Sequence, residues 1–122
     1  MEKLARAAQA LSDETRLRIL NVLTVKECCV CEVMQALEIS QTRASRNLKI
    51  LGDAGFLNMR TNGLYTVYSL RDASSDGFYT ELIKAVKKEM KINKAAKKDI
   101  LHLEQSKRVG PGCVTTRYTA QS

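Results

Sequence analysis

A mainly α chain with one small β-hairpin is the fold class this sequence predicts. Three observations carry it. Short amphipathic stretches with good N-terminal caps fill residues 3–54, an alternating β-rich run flanks Asn62-Gly63, and a long amphipathic stretch closes the ordered part.

Residues 3–10 form a first helical pattern, with Leu4, Ala7, Ala8 and Leu11 on one side. In "SDETRLRILNVL", Ser12 or Asp13 caps a second helix, Glu14 adds negative charge to its first turn, and Leu17, Ile19, Leu20 and Leu23 are its apolar positions. "ECCVCE" opens a third helix, roughly 29–37, with Val30, Val33, Met34 and Leu37 facing inward. Ser40 caps a fourth, buried along Ala44, Leu48 and Leu51 and ended by Gly55. Residues 56–60 and 64–70 are strands joined at Asn62-Gly63, since both residues tolerate positive φ. One long helix is expected over about 75–105, carrying Phe78, Leu82, Ile83, Val86, Met90, Ile100 and Leu103. Its Lys84, Lys87, Lys88, Lys91, Lys94, Lys97 and Lys98 read as a solubilising exterior. Residues 1–106 are expected to be one domain, with 107–122 a flexible tail.

The 122 residues suit one domain, and a formal charge of +7 suits a polyanionic partner. No apolar run approaches the ~18 residues of a membrane span, and "MEKLARAAQALSDETR" lacks a signal-peptide core. The expected compartment is the cytoplasm, where thiols stay reduced, so the crowded cysteines read as a metal or reactive site before a disulfide framework.

Helix, short helix, turn, helix, hairpin, long helix is the order of a winged helix-turn-helix, whose second paired helix enters the major groove. The exposed face of that helix would present Ser40, Gln41, Thr42, Arg43, Ser45, Arg46, Asn47 and Lys49. Gln and Asn can pair adenine edges, and Arg can pair guanine or grip phosphate. Arg60, Asn62 and Tyr65 would be the wing's contacts.

"SDETRLRIL", "ECCVCEV", "SQTRASRNLKILGDAGFL" and the Asn-Gly hairpin, spanning about residues 5 to 72, together resemble the ArsR/SmtB family of metal-sensing repressors. Asn47 departs from the pattern, since members often carry His there. The resemblance implies a homodimer built through the first and last helices, bound to an imperfect palindrome in double-stranded operator DNA over its own promoter.

A cluster of soft thiolates with no nearby His or Asp favours arsenic(III), antimony(III), cadmium, lead or copper(I). Cys29 and Cys31 match the "C-V-C" of the family's arsenic and cadmium/lead sensors. Met34 stands where arsenite sensors commonly have a third cysteine, and Cys28 is the extra thiol instead. At ~100° per residue a regular helix would place Cys28 and Cys31 within about 60° of each other, and Cys29 and Cys31 on opposite sides. Gathering Cys28, Cys29 and Cys31 around one ion would then require Cys28 outside the helix or an unwound first turn. Cys113 is a candidate fourth sulfur for cadmium or lead, while Glu27 and Glu32 read as solvated flanking charges.

The expected function is thus a repressor of a metalloid-resistance operon that leaves DNA when arsenite or antimonite binds, with no organic cofactor. A cadmium/lead-responsive or thiol-redox repressor of the same fold is the alternative. An enzyme is not expected: Cys28-x-x-Cys31 has oxidoreductase spacing, but no parallel-strand pattern surrounds it. A zinc site on the last helix would need more than His102, the sole histidine, and Asp76; His102 reads as a surface residue.

Overall fold

The computed structural model describes residues 2–71 and 77–108. The tail from 109, Cys113, Asp76 and the expected helix start at 75 lie outside them. The chain runs α1 (Glu2–Ala10), α2 (Glu14–Val25), β1 (Cys28–Cys29), α3 (Val30–Leu37), α4 (Gln41–Asp53), β2 (Leu57–Asn62), β3 (Tyr65–Leu70), α5 (Phe78–Met90) and α6 (Lys94–Glu104).

Local chemistry sets most boundaries. Asp13 caps α2 by accepting from the Arg16 N–H at 3.1 Å, and Ser40 caps α4 by accepting from the Arg43 N–H at 3.0 Å. Gly55 ends α4 with φ +97°, a conformation costly to other residues, and a side chain there would sit 2.6 Å from Cζ of Tyr79. The expected long helix is two. Asn93 interrupts it, its side chain accepting from the Ala96 N–H at 2.9 Å, because Asn competes for backbone groups and favours a cap over a helix interior.

The hairpin turn is shifted by one residue from expectation. Asn62 pairs with Tyr65 in the β2–β3 register, so Gly63 and Leu64 form the loop and Gly63 alone takes positive φ, +63°. The sheet order is β1-β3-β2, all antiparallel. Its third strand, β1, was not expected: two of the clustered cysteines are strand residues.

The core gathers Ile19, Leu20, Met34, Leu48, Leu51, Phe56 and Leu103, each at most 2% exposed. Each such side chain contributes roughly 1.5–3 kcal/mol by leaving water. α3 packs against α4 and α6, and α2 against α5 and α6. Phe56 meets Tyr79 edge-to-face at 5.1 Å, tying the end of α4 to α5. In α1, Ala7 and Ala10 are buried, whereas Leu4 is 52% exposed, as is Leu101 of α6 at 60%.

Candidate thiol site and nucleic-acid interface

Successive residues of a strand point to opposite faces. Cys28 therefore enters the main core, its thiol donating to the Lys26 carbonyl at 3.4 Å, while Cys29 faces away into a separate small cluster with Cys31 and Tyr65. Cys29 is also the N-cap of α3, which begins at Val30 rather than 29. Because Cys29 is extended and only Cys31 is helical, the two sulfurs meet at 3.0 Å. This reverses the helical-wheel expectation, in which Cys28 and Cys31 were the near pair. The three-sulfur cluster is not assembled. Among the described residues no three His, Cys, Asp or Glu side chains gather to hold an ion.

Burial pushes the Cys28 thiol up to about 12, so it stays protonated. Cys29 and Cys31 are likewise at most 1% exposed, and a carbonyl lies against the second: the Cys31 thiol donates to Lys107 O at 3.6 Å. Lys107 is held in turn by Gln35, which accepts from its N–H (3.1 Å) and donates to its carbonyl (2.6 Å). Lys107 and Arg108 are thus docked on α3, although the sequence assigned them to the tail.

Glu32 corrects another expectation. It is 2% exposed, not solvated, and accepts from the Cys29 N–H (2.9 Å), Lys26 Nζ (2.6 Å) and Arg108 Nε (3.0 Å). Burial alone would raise its carboxyl, but these donors outweigh it and hold the group below the usual carboxylate range. Glu32, Gln35, Lys107 and Arg108 were all missed as site residues. The one available signal was spacing: Glu32 stands at the third helical position after a cap, where Glu reaches back to the cap's N–H.

In α4, Thr42, Arg43, Ser45, Arg46 and Lys49 are exposed, and Ser40 at its cap and Gln41 are half-buried. Asn47 is turned inward instead, 5% exposed: its amide donates to the Arg43 carbonyl and its oxygen accepts from Arg16 Nη1, each at 3.0 Å. The exposed face expected for Asn47 is thus not where the structure puts it. Arg43 also donates to Thr15 Oγ1 at 2.8 Å, and Lys49 pairs with Asp53 at 3.3 Å. On the wing, Asn62 is exposed, Arg60 is ion-paired with Glu27, and Tyr65 is half-buried against the thiols rather than projecting outward.

α6 completes the frame. Asp99 meets Arg18, and His102 is half-buried, with Nδ1 3.2 Å from the Ala36 carbonyl and 3.3 Å from Glu38, not a plain surface residue. Among the described residues no helix is long and apolar enough to cross a membrane.

The family model for bacterial regulatory proteins of the arsR family matches residues 13–59. An arsenical resistance operon repressor of Bacillus subtilis is 33% identical over 66% of this chain and 78% of its own length. A cadmium resistance regulatory protein, a CadC homolog of Staphylococcus aureus, is 41% identical over 56% of this chain and 57% of its own. A solution structure from Mycobacterium bovis, described as a homodimeric winged helix-turn-helix DNA-binding domain, matches with TM-score 0.64 and 26% identity over 76% of this chain and 82% of that one. With its exposed basic α4 set beside a β-hairpin wing, the chain belongs to the arsR family of bacterial transcriptional regulators, a DNA-binding winged helix-turn-helix protein and not an enzyme.

Proposed function

We propose that this chain represses a metalloid-resistance operon as a homodimer and leaves its operator when arsenite or antimonite bonds to Cys29 and Cys31. The observation that carries this reading is the 3.0 Å separation of the two sulfurs, which lets one thiophilic ion bond both with little rearrangement. Cys28 is left out of the ligand set because its thiol belongs to the main core. A trigonal ion calls for a third sulfur, and Cys113, six residues after the Lys107 that touches Cys31, is the candidate. A tether of that length reaches at most ~21 Å. Gln41, Thr42, Ser45 and Arg46 would face the major groove, with Arg43 and Lys49 beside them and Asn62 at the wing. Exposed Leu4 on α1 and Leu101 on α6 fit dimer contacts through the first and last helices.

The same sulfur separation favours a second reading, in which a peroxide oxidises the pair to a disulfide and is itself reduced to water. A cadmium or lead response is the other variant of the ion reading, supported by similarity to the cadmium resistance regulator.

Fluorescence anisotropy on a duplex from the gene's own promoter separates these readings, using arsenite, cadmium and peroxide on wild type and single Cys→Ser variants. Arsenite is expected to release wild type and Cys28→Ser, but not Cys29→Ser or Cys31→Ser; Cys113→Ser is expected to weaken the response. Full release of Cys29→Ser and Cys31→Ser by arsenite would sink the site, and release by peroxide alone would favour oxidation.

A further inference from the structure

Cys29 belongs to the sheet as well as to the start of α3. Strand β1 pairs with β3, placing Cys29 opposite Val67 and Cys28 opposite Tyr68. β3 is also the second strand of the wing. Tyr65, its first residue, pairs with Asn62 across the turn and packs, half-buried, against the Cys29–Cys31 cluster. The Arg108 guanidinium lies 5.9 Å from the centre of that ring while pairing with Glu32. A further tie runs from Glu27, just before β1, to Arg60 on β2.

The wing is therefore joined to the thiols through backbone pairing, a ring contact and an ion pair. The path to α4 differs in kind. α3 meets α4 through the main core, a close-packed cluster that contains Val33, Met34, Ala44 and Leu48 but neither Cys29 nor Cys31. Tyr65 is the partly buried side chain packed against the Cys29–Cys31 cluster. Sulfurs 3.0 Å apart leave no room for an atom between them, so an ion bonded to both must lie to one side. Tyr65 packs against that cluster, and the Lys107 carbonyl lies 3.6 Å from the Cys31 sulfur.

We infer that the wing reads the state of the thiol pair, with Tyr65 as the positioning residue that converts an ion on Cys29 and Cys31 into a shift of hairpin 57–70. This rests on the proposed ion site. An ion on the side where Tyr65 packs displaces the ring, and β3 carries the displacement to Asn62 and the turn, where the hairpin would meet DNA.

The test uses the full chain with arsenite as the probe. Three quantities are measured: free thiol titre, amide hydrogen exchange of peptides covering 57–70 and 41–53, and the ratio of promoter-duplex Kd with and without arsenite. Wild type is expected to lose thiol titre, to change exchange in 57–70 more than in 41–53, and to show a large Kd ratio. Tyr65→Ala should shrink that ratio by about tenfold while thiols are still consumed, and Tyr65→Phe, which keeps the ring, should restore it. Using the ratio removes any effect of the substitution on DNA binding itself. Consumed thiols and DNA release in wild type, with 57–70 unchanged or with Tyr65→Ala fully responsive, would overturn the wing route alone. Unconsumed thiols in wild type would overturn the ion site and this inference together.

Discussion

Arg18 grips Asp99 through two parallel hydrogen bonds, Nε to Oδ2 at 2.8 Å and Nη2 to Oδ1 at 2.7 Å, with the carboxylate 2% exposed. The pair pins α6 to α2, and the carboxylate raises the arginine above its ordinary value through that side-chain hydrogen bond. Removing one member leaves the other without its partner in a largely buried place. Asp99→Ala should therefore lower unfolding free energy by about 3–5 kcal/mol, read as a shifted urea midpoint with an unchanged slope. A midpoint equal to wild type would show that the bridge holds nothing.

Cys28 should behave as a small core hydrophobe. Cys28→Ala removes one heavy atom from a packed site and should cost about 1 kcal/mol. The pH dependence has a definite sign. In the unfolded chain this thiol titrates near 9.0, and in the folded chain at about 12. Its contribution is thus complete below pH 9.0 and is lost as pH rises from there towards about 12, because only the unfolded state releases the proton. Denaturation midpoints followed into alkaline solution should fall faster for wild type than for Cys28→Ala, and parallel curves would contradict the burial.

Glu32 ties together the start of α3, Lys26 and the segment 106–108. Glu32→Gln keeps an acceptor for the Cys29 N–H but removes the charge facing Lys26 and Arg108, at a cost of about 1–3 kcal/mol. Faster amide exchange at Lys107 and Arg108 should accompany it. In wild type the carboxyl is held low, so its contribution is present above its ordinary value of 4.5 and disappears as pH falls below that through the lowered folded value. Glu32→Gln should remove this acid-side loss, and an unchanged acid profile would argue against the assignment.

Arg46 and Asn47 are neighbours with opposite expected phenotypes. Arg46 is exposed, so Arg46→Ala should stay within about 0.5 kcal/mol of wild-type stability while weakening promoter binding. The slope of log K against log salt should fall by about 1 if the side chain meets phosphate. Asn47→Ala strips partners from Arg16 Nη1 and the Arg43 carbonyl, and should cost about 1–2 kcal/mol. Thermal melts beside anisotropy titrations give both numbers, and equal stability losses would refute the division.

The helices were legible because each carries its own period and cap: Ser40 and the Ala44, Leu48, Leu51 stripe announce α4 without tertiary help. The wing was legible from Gly63 and its alternating flanks, although the one-residue offset of the turn depended on cross-strand pairing. The break at Asn93 was readable as a cap and was outweighed by the apolar period on both sides. The thiols were misassigned for a different reason. Whether Cys28 and Cys29 are helical or extended is decided by β3, about forty residues away, and that choice alone determines which sulfurs meet. Asn47 was misplaced because its partner, Arg16, lies on another helix. The docking of Lys107 and Arg108 likewise needed Gln35 and Glu32 in place.

The hydrogen bonds between Gln35 and the backbone of Lys107 have a kinetic meaning. A sulfur with no exposed surface reacts only during moments when its cover lifts, so the rate of its capture by any solute cannot exceed the rate of that opening. The two hydrogen bonds shared with one glutamine therefore act as a timer: loosening them hastens both arrival and escape, and tightening them slows both.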